Sequence, residues 1–311
     1  MSGATTMGWT DGIIVVAYLA ITMALGIKVG AGMKTGKDFF LAGRSLPWWA
    51  VGMSLVSTDI GATDIIGAGG ASYRHGLSVA NFEWIGCVPA MIVGAFVFLP
   101  FLWRTGVTTI PEYMERRFSP SLRAALALCW FLFMACNLGI MLNASAKMMM
   151  GMIGMSFDKT GPLTDQVLQI LPCVVSMALL AGIYTCFGGL RSVVYTDVFQ
   201  GTVMIGGCLF ITILGLVELG GFDGLFERIK AVNPAAQDHS RLILPADTAA
   251  PFPWSGILFG LAFVMSPGYW WGNQAIIQRT LGARSEFEAK ASYVCGALLK
   301  SVIPFVVAVP G

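Results

Sequence analysis

Charge is what this sequence has least of. Only 12% of its 311 residues are Asp, Glu, Lys or Arg, about half the roughly 25% of an ordinary soluble domain. A soluble enzyme is excluded on that ground, because it would expose a large apolar patch. A disordered chain and a nucleic-acid binder need charge that is missing here. The two signs nearly cancel, at net +2, so no polyanionic partner is implied. His75 and His239 are the only histidines, which excludes a His-rich zinc or haem centre. The seven cysteines are odd in number and lie inside apolar runs. They read as small core residues and not as a disulfide framework. No P-loop, H-E-x-x-H or G-x-S-x-G motif is present. Residues 1–11 lack the basic stretch that opens a signal peptide, so the first apolar run is expected to stay as a membrane helix.

What the chain has is apolar sequence, at 56% hydrophobic residues and a mean hydropathy of +0.74. A spanning helix needs about 20 mostly apolar residues. Eight segments meet that, near 12–33, 46–70, 77–103, 121–150, 166–189, 193–217, 253–277 and 290–311. The pattern predicts an all-α polytopic membrane protein with one transmembrane domain over 1–311. The stretch 218–252 carries Asp223, Glu227, Arg228, Lys230, Asp238 and Arg241 and reads as a surface loop with a short amphipathic helix. Of the 19 Lys and Arg, twelve fall in odd-numbered loops and five in even-numbered ones. The odd loops are therefore expected in the cytoplasm and the N-terminus outside. Pro310-Gly311 follow the run Val306–Val309 with no polar flank, so the chain is expected to stop inside its last span, as a C-terminally truncated piece.

The informative charges are the few inside the spans. Segment 46–70 holds Ser57, Thr58, Asp59 and Asp64 at mid-depth, with Gly61, Gly67, Gly69 and Gly70 among them. A charge at mid-bilayer costs about 2.5–3.5 kcal/mol on insertion scales. In an unbroken helix the two Asp side chains would sit about 140° apart; a break near Gly61 could turn both toward one cavity, as broken transporter helices do. The plainer reading is a packing helix whose Asp residues pair with neighbours. Segment 253–277 is expected to break at Ser266-Pro267-Gly268, since Pro removes a backbone donor. Both segments open with Pro-Trp, at Pro47-Trp48 and Pro253-Trp254. Two interrupted helices in corresponding positions point to an inverted repeat with its site between them. Tyr269, Trp270 and Trp271 are expected to line a cavity and offer a stacking face, unless they mark the membrane interface. Glu83, Asn137 and Lys300 add polar groups that suit a polyhydroxylated solute or, for the charged pair, a structural ion pair. With Asp59, Asp64 and Glu83 against Lys300, the cavity would carry net −2, which favours a bound cation, a protonated carboxyl or a cationic solute. Lys147 reads as a snorkelling side chain, and Gly26 with Gly30 as a helix contact.

The runs DFFLAGRSLPWWAVGMSLVSTDIGA, NFEW, GVTTIPEYMERRF, YTCFGGLRSVVYTDVFQG and YWWGNQAIIQRTLGA closely resemble the sodium:solute symporters, and among them the sodium/glucose cotransporter branch. The resemblance implies a LeuT-type inverted-repeat fold of five plus five helices behind an extra helix. On that template 12–33 is the leading helix, 46–217 the first repeat, and 253–311 the first two helices of the second. It implies Na⁺ as coupling ion with no cofactor, a bilayer of the plasma or bacterial inner membrane, and no nucleic-acid partner. It places a sodium site at the backbone carbonyls of Ser57 and Ile60, oxygen ligands that suit a hard cation, completed by a helix not in this chain. Solute contacts map to Asp59, Asp64, Glu83, Asn137, Ser266, Tyr269, Trp270 and Lys300. Tyr269 becomes the inner gate, Phe82 part of the outer gate, and Asp197 the cytoplasmic end of the ion path. Asp64 stands where sugar carriers have Gln or His, Asp59 where they have Asn, and Trp271 where a smaller residue is typical. The resulting expectation is Na⁺-coupled symport of a small polar solute, a sugar first, by alternating access. The alternatives are a cationic or amine solute, or another polyol, bound by Asp64, and a non-transporting truncated fragment or sensor.

Overall fold

A computed structural model describes residues 8–31, 35–155, 157–158, 160–232, 239–248 and 250–311. Helix α1 (Trp9–Gly30) is capped by Asp11, whose Oδ2 accepts the Gly8 N–H at 2.9 Å. It lies along α8 (Leu163–Leu219). Gly26 and Gly30 are buried there, and the Ser192 hydroxyl donates to the Gly26 carbonyl at 2.8 Å. This pair is thus a helix contact, as small residues spaced by four provide. Short α2 (Gly36–Leu41) is closed at its start by a Thr35–Asp38 capping box. Pro47 then starts α3 (Trp48–Asp59), and α4 (Ala62–His75) follows after two non-helical residues. Segment 46–70 is therefore broken where its glycine spacing predicted.

Helix α5 (Phe82–Thr105) is one span containing two widened, π-helical stretches, Phe82–Cys87 and Gly94–Phe98. Each is followed by a helical piece with proline in its first turn, Pro89 and Pro100. Proline has no N–H and its ring collides with the carbonyl four residues back. Shifting that turn to i→i+5 bonding removes the conflict without breaking the helix. The same device recurs at Gly256–Met265, which runs unbroken into α10 (Ser266–Gly272) with Pro267 in its first turn. The interruption expected at Ser266-Pro267-Gly268 is therefore not there. It falls at Asn273 (φ −72°, ψ 118°), after which α11 (Gln274–Leu281) begins.

Between these lie α6 (Ile110–Arg117), α7 (Pro120–Met152) and the long α8, which is not one rod. Gly189 (φ 50°, ψ −155°) kinks it, and both arms, Leu163–Ile183 and Gly188–Leu219, are long and apolar enough to span. The amphipathic helix expected after 218 is α9 (Gly221–Val232); Asp238 lies outside the described residues. The chain closes with α12 (Glu286–Lys300) and α13 (Ile303–Val307). Among the described residues, six helices are long and apolar enough to cross a membrane, and the two broken ones add to these.

The packed centre is α3 against α12, α5 and α10, around fully buried Leu55, Met91, Trp270 and Tyr293. Close approach of α3 and α12 depends on Gly52, where an added Cβ would lie 2.8 Å from Cys295 and 2.9 Å from the Ser292 carbonyl. In a bilayer this backbone-to-backbone fit replaces the hydrophobic drive that packs helices in water. Helix α7 instead turns Phe131, Leu132, Leu138 and Ile140 outward.

Candidate functional site

The geometry begins at the α3–α4 break. The Gly61 N–H, which in a continuous helix would bond to the Ser57 carbonyl, donates instead to Asp64 Oδ2 at 2.9 Å. The Asp64 N–H likewise goes to the Gly61 carbonyl at 3.1 Å, one residue short of Ile60. Asp64 thus caps α4, and the carbonyls of Ser57 and Ile60 lose their i+4 helical donors.

Beside the break sits Lys300, 1% exposed. Its ammonium is in contact with Asp59 and lies 2.7 Å from Glu83, and it stands 5.9 Å from the centre of the Trp270 ring. Removing one member of such a buried set is costly because it strands the others. The ion pair read from the sequence for Glu83 and Lys300 is present, with Asp59 as a third member. Asp64 has no cation within salt-bridge distance among the described residues.

Two chambers meet at these groups. One, of about 460 Å³, is lined by Thr58, Thr63, Asn137, Met141, Ser266, Tyr269, Trp270 and Asn273. The other, of about 340 Å³, is lined by Phe82, Glu83, Ala71, Val79, Phe252 and Ile303. Asp59, Asp64, Cys87 and Leu261 line both and form the septum between them. The structure therefore brings Asp59, Asp64, Asn137, Ser266, Tyr269 and Trp270 to the larger chamber and Phe82 and Glu83 to the smaller. Lys300, expected among the solute contacts, lines neither: it is buried in its ion pairs with Asp59 and Glu83. Trp271 lines neither, against expectation: its indole N–H donates to the Ala90 carbonyl at 2.7 Å and its ring stacks 4.0 Å from Phe98. Lys147 lies over the Phe157 ring, 4.7 Å from its centre.

Ser57 and Asp197 belong to a second polar cluster. Asp197 Oδ2 accepts from Ser54 at 2.6 Å and Thr58 at 3.3 Å, and the Ser57 hydroxyl donates to the Asp197 carbonyl at 3.0 Å. Arg279 completes the cluster, donating from Nε to Ser54 at 2.9 Å and lying 3.4 Å from Asp197. The network ties α3, α8 and α11 together. Arg279, counted in the sequence as a loop charge, is 9% exposed. Its only local signal is the apolar run Ile276-Ile277 and Leu281 around it. Cys87 and Phe252 were also missed; neither carries a local signal, because contacts far along the chain place them.

A multi-pass helical protein whose two interrupted helices turn their charged and aromatic side chains to shared chambers has the architecture of secondary transporters. The family model for the sodium:solute symporter family matches residues 39–311, and this chain belongs to that family. It is 36% identical over 313 residues to a sodium/glucose cotransporter of Vibrio parahaemolyticus, covering 98% of this chain and 55% of that protein. It is 31% identical to human sodium/glucose cotransporter 4, over 96% of this chain and 44% of that one. It is 32% identical to rabbit sodium/myo-inositol cotransporter 2, over 96% and 44%. The chain thus spans about half the length of the curated relatives it matches. A solved structure of a Na⁺-coupled sialic acid symporter, substrate-bound and outward-open, superposes with a TM-score of 0.82 at 22% identity. That match covers 97% of this chain and 61% of the other, and the LeuT-like fold is shared.

Proposed function

We propose that this chain forms the substrate-facing half of a Na⁺-coupled symporter for a small polyhydroxylated solute, a sugar or related polyol, working by alternating access. The observation that carries the reading is the α3–α4 break. Its two freed carbonyls, at Ser57 and Ile60, supply hard oxygen ligands for Na⁺, and they lie beside the acids that line the chambers. The solute contacts are Asp59, Asp64, Glu83, Asn137 and Ser266, with Tyr269 and Trp270 as stacking face and Lys300 holding Asp59 and Glu83 in place. Carboxylates accept sugar hydroxyls in strong charge-assisted hydrogen bonds. Tyr269 acts as inner gate, Phe82 in the outer gate, and Asp197 at the cytoplasmic end of the ion path. Residues 12–33 form the leading helix, 46–217 the first repeat and 253–311 the start of the second, with the N-terminus outside, in the plasma or bacterial inner membrane. Relatives named for glucose and myo-inositol support a neutral polyol.

A cationic solute is the second reading, and the charge count favours it: three carboxylates, Asp59, Asp64 and Glu83, face one ammonium. Equilibrium binding to the complete protein separates the two. Labelled hexose or inositol is expected to bind at least about tenfold more tightly in Na⁺ than in K⁺, a coupling of about 1.4 kcal/mol. Equal affinity in both salts contradicts coupling. If an amine binds instead and Asp64→Asn abolishes its binding alone, the neutral-polyol reading is wrong.

A further inference from the structure

The chain between α9 and the second broken helix, residues 239–248 and 250–254, reaches the smaller chamber at Phe252. One end is pinned by backbone. The Leu77 N–H donates to the His239 carbonyl at 2.8 Å, and the Asn81 amide donates to the Leu242 carbonyl. Gly76, at φ +77°, lies so close that an added Cβ would stand 2.2 Å from the His239 Cα. Further along, the segment closes on itself, where the Trp254 N–H donates to the Leu244 carbonyl at 3.1 Å. Leu242 and Ile243 turn their side chains outward, while Leu244 is buried.

Phe252 is the one residue of this strap that lines the chamber. Its ring meets His75, at the end of α4, edge-on at 5.3 Å, and Phe82, at the start of α5, edge-on at 5.1 Å. Its ring therefore links the end of α4 to the start of α5 beside the chamber. Such contacts can part without breaking a backbone hydrogen bond. Asp64 and Glu83 line the same chamber.

We infer that the strap is a lid on the smaller chamber and that Phe252 is its plug, a gating residue that works with Phe82. The inference rests on the reading that these chambers carry solute, but its test needs neither Na⁺ nor solute. Ala71→Cys places a thiol in the smaller chamber, and Met134→Cys places one in the larger. A water-soluble methanethiosulfonate labels the purified complete protein, and peptide mass mapping reads each site separately. Adding Phe252→Ala is expected to raise labelling at Ala71→Cys at least tenfold, with Met134→Cys changing less than twofold; Phe252→Trp is expected to slow it. An unchanged rate at Ala71→Cys, or an equal rise at both sites, overturns the lid. A selective rise that then ignores Na⁺ and solute keeps the lid and counts against the symport reading.

Discussion

Lys300 shows how much one side chain can hold. Its ammonium serves Asp59 from α3 and Glu83 from α5 while its own backbone ends α12. Lys300→Met leaves two carboxylates together without a cation. It is expected to lower stability by about 3–5 kcal/mol, read as a fall in melting temperature in detergent. Adding Asp59→Asn removes one stranded charge and is expected to recover part of that loss, because residues in contact do not act additively. A double variant no more stable than Lys300→Met would remove Asp59 from the cluster. These charges were legible in the sequence because charge inside an apolar span is rare and costly. Arg279 was not, because its apolar neighbours also fit a loop beside a span. Trp271 was misread for a related reason: adjacency to Trp270 says nothing about facing, since neighbouring helical residues point about 100° apart.

At the scale of elements, the prolines explain both what was read correctly and what was not. Pro267 looked like a helix breaker, yet the widened turns of Gly256–Met265 absorb it, and a one-residue change of hydrogen-bond register leaves no trace in composition. The true break at Asn273 depends on a cap, in which its Oδ1 accepts the Ala275 N–H at 2.9 Å. Asn273→Ala is expected to cost about 1 kcal/mol, measurable by thermal melt, whereas Pro267→Ala leaves the break in place. Loss of the break in Pro267→Ala, seen as a straight helix in its solved structure, would contradict this. On α6, burial pushes the Glu112 carboxyl up, but the Thr108 N–H at 2.8 Å, the Thr108 hydroxyl at 2.7 Å and Arg116 outweigh it and hold it below the usual range. A carboxyl lowered on folding stabilises above its unfolded pKa, about 4.3, and the gain is lost as pH falls through its folded value. The melting temperature of Glu112→Gln is therefore expected to fall less than the parent's between about pH 6 and pH 3. Equal falls would assign the acid sensitivity elsewhere.

For the whole molecule, the class of fold followed from little more than missing charge and the spacing of apolar runs. The break near Gly61 followed from glycine and two acids in one span. The two chambers did not, because their walls combine α3, α4, α5, α7, α10 and the strap at sequence separations that no local pattern encodes. The family places the chain among sodium:solute symporters, and the central claim is coupling. The most direct measurement is uptake of labelled hexose by the complete protein in proteoliposomes under an imposed inward Na⁺ gradient. Accumulation above the equilibrium level that collapses when K⁺ replaces Na⁺, and is lost in Lys300→Met, is the result expected; accumulation indifferent to the Na⁺ gradient would contradict it.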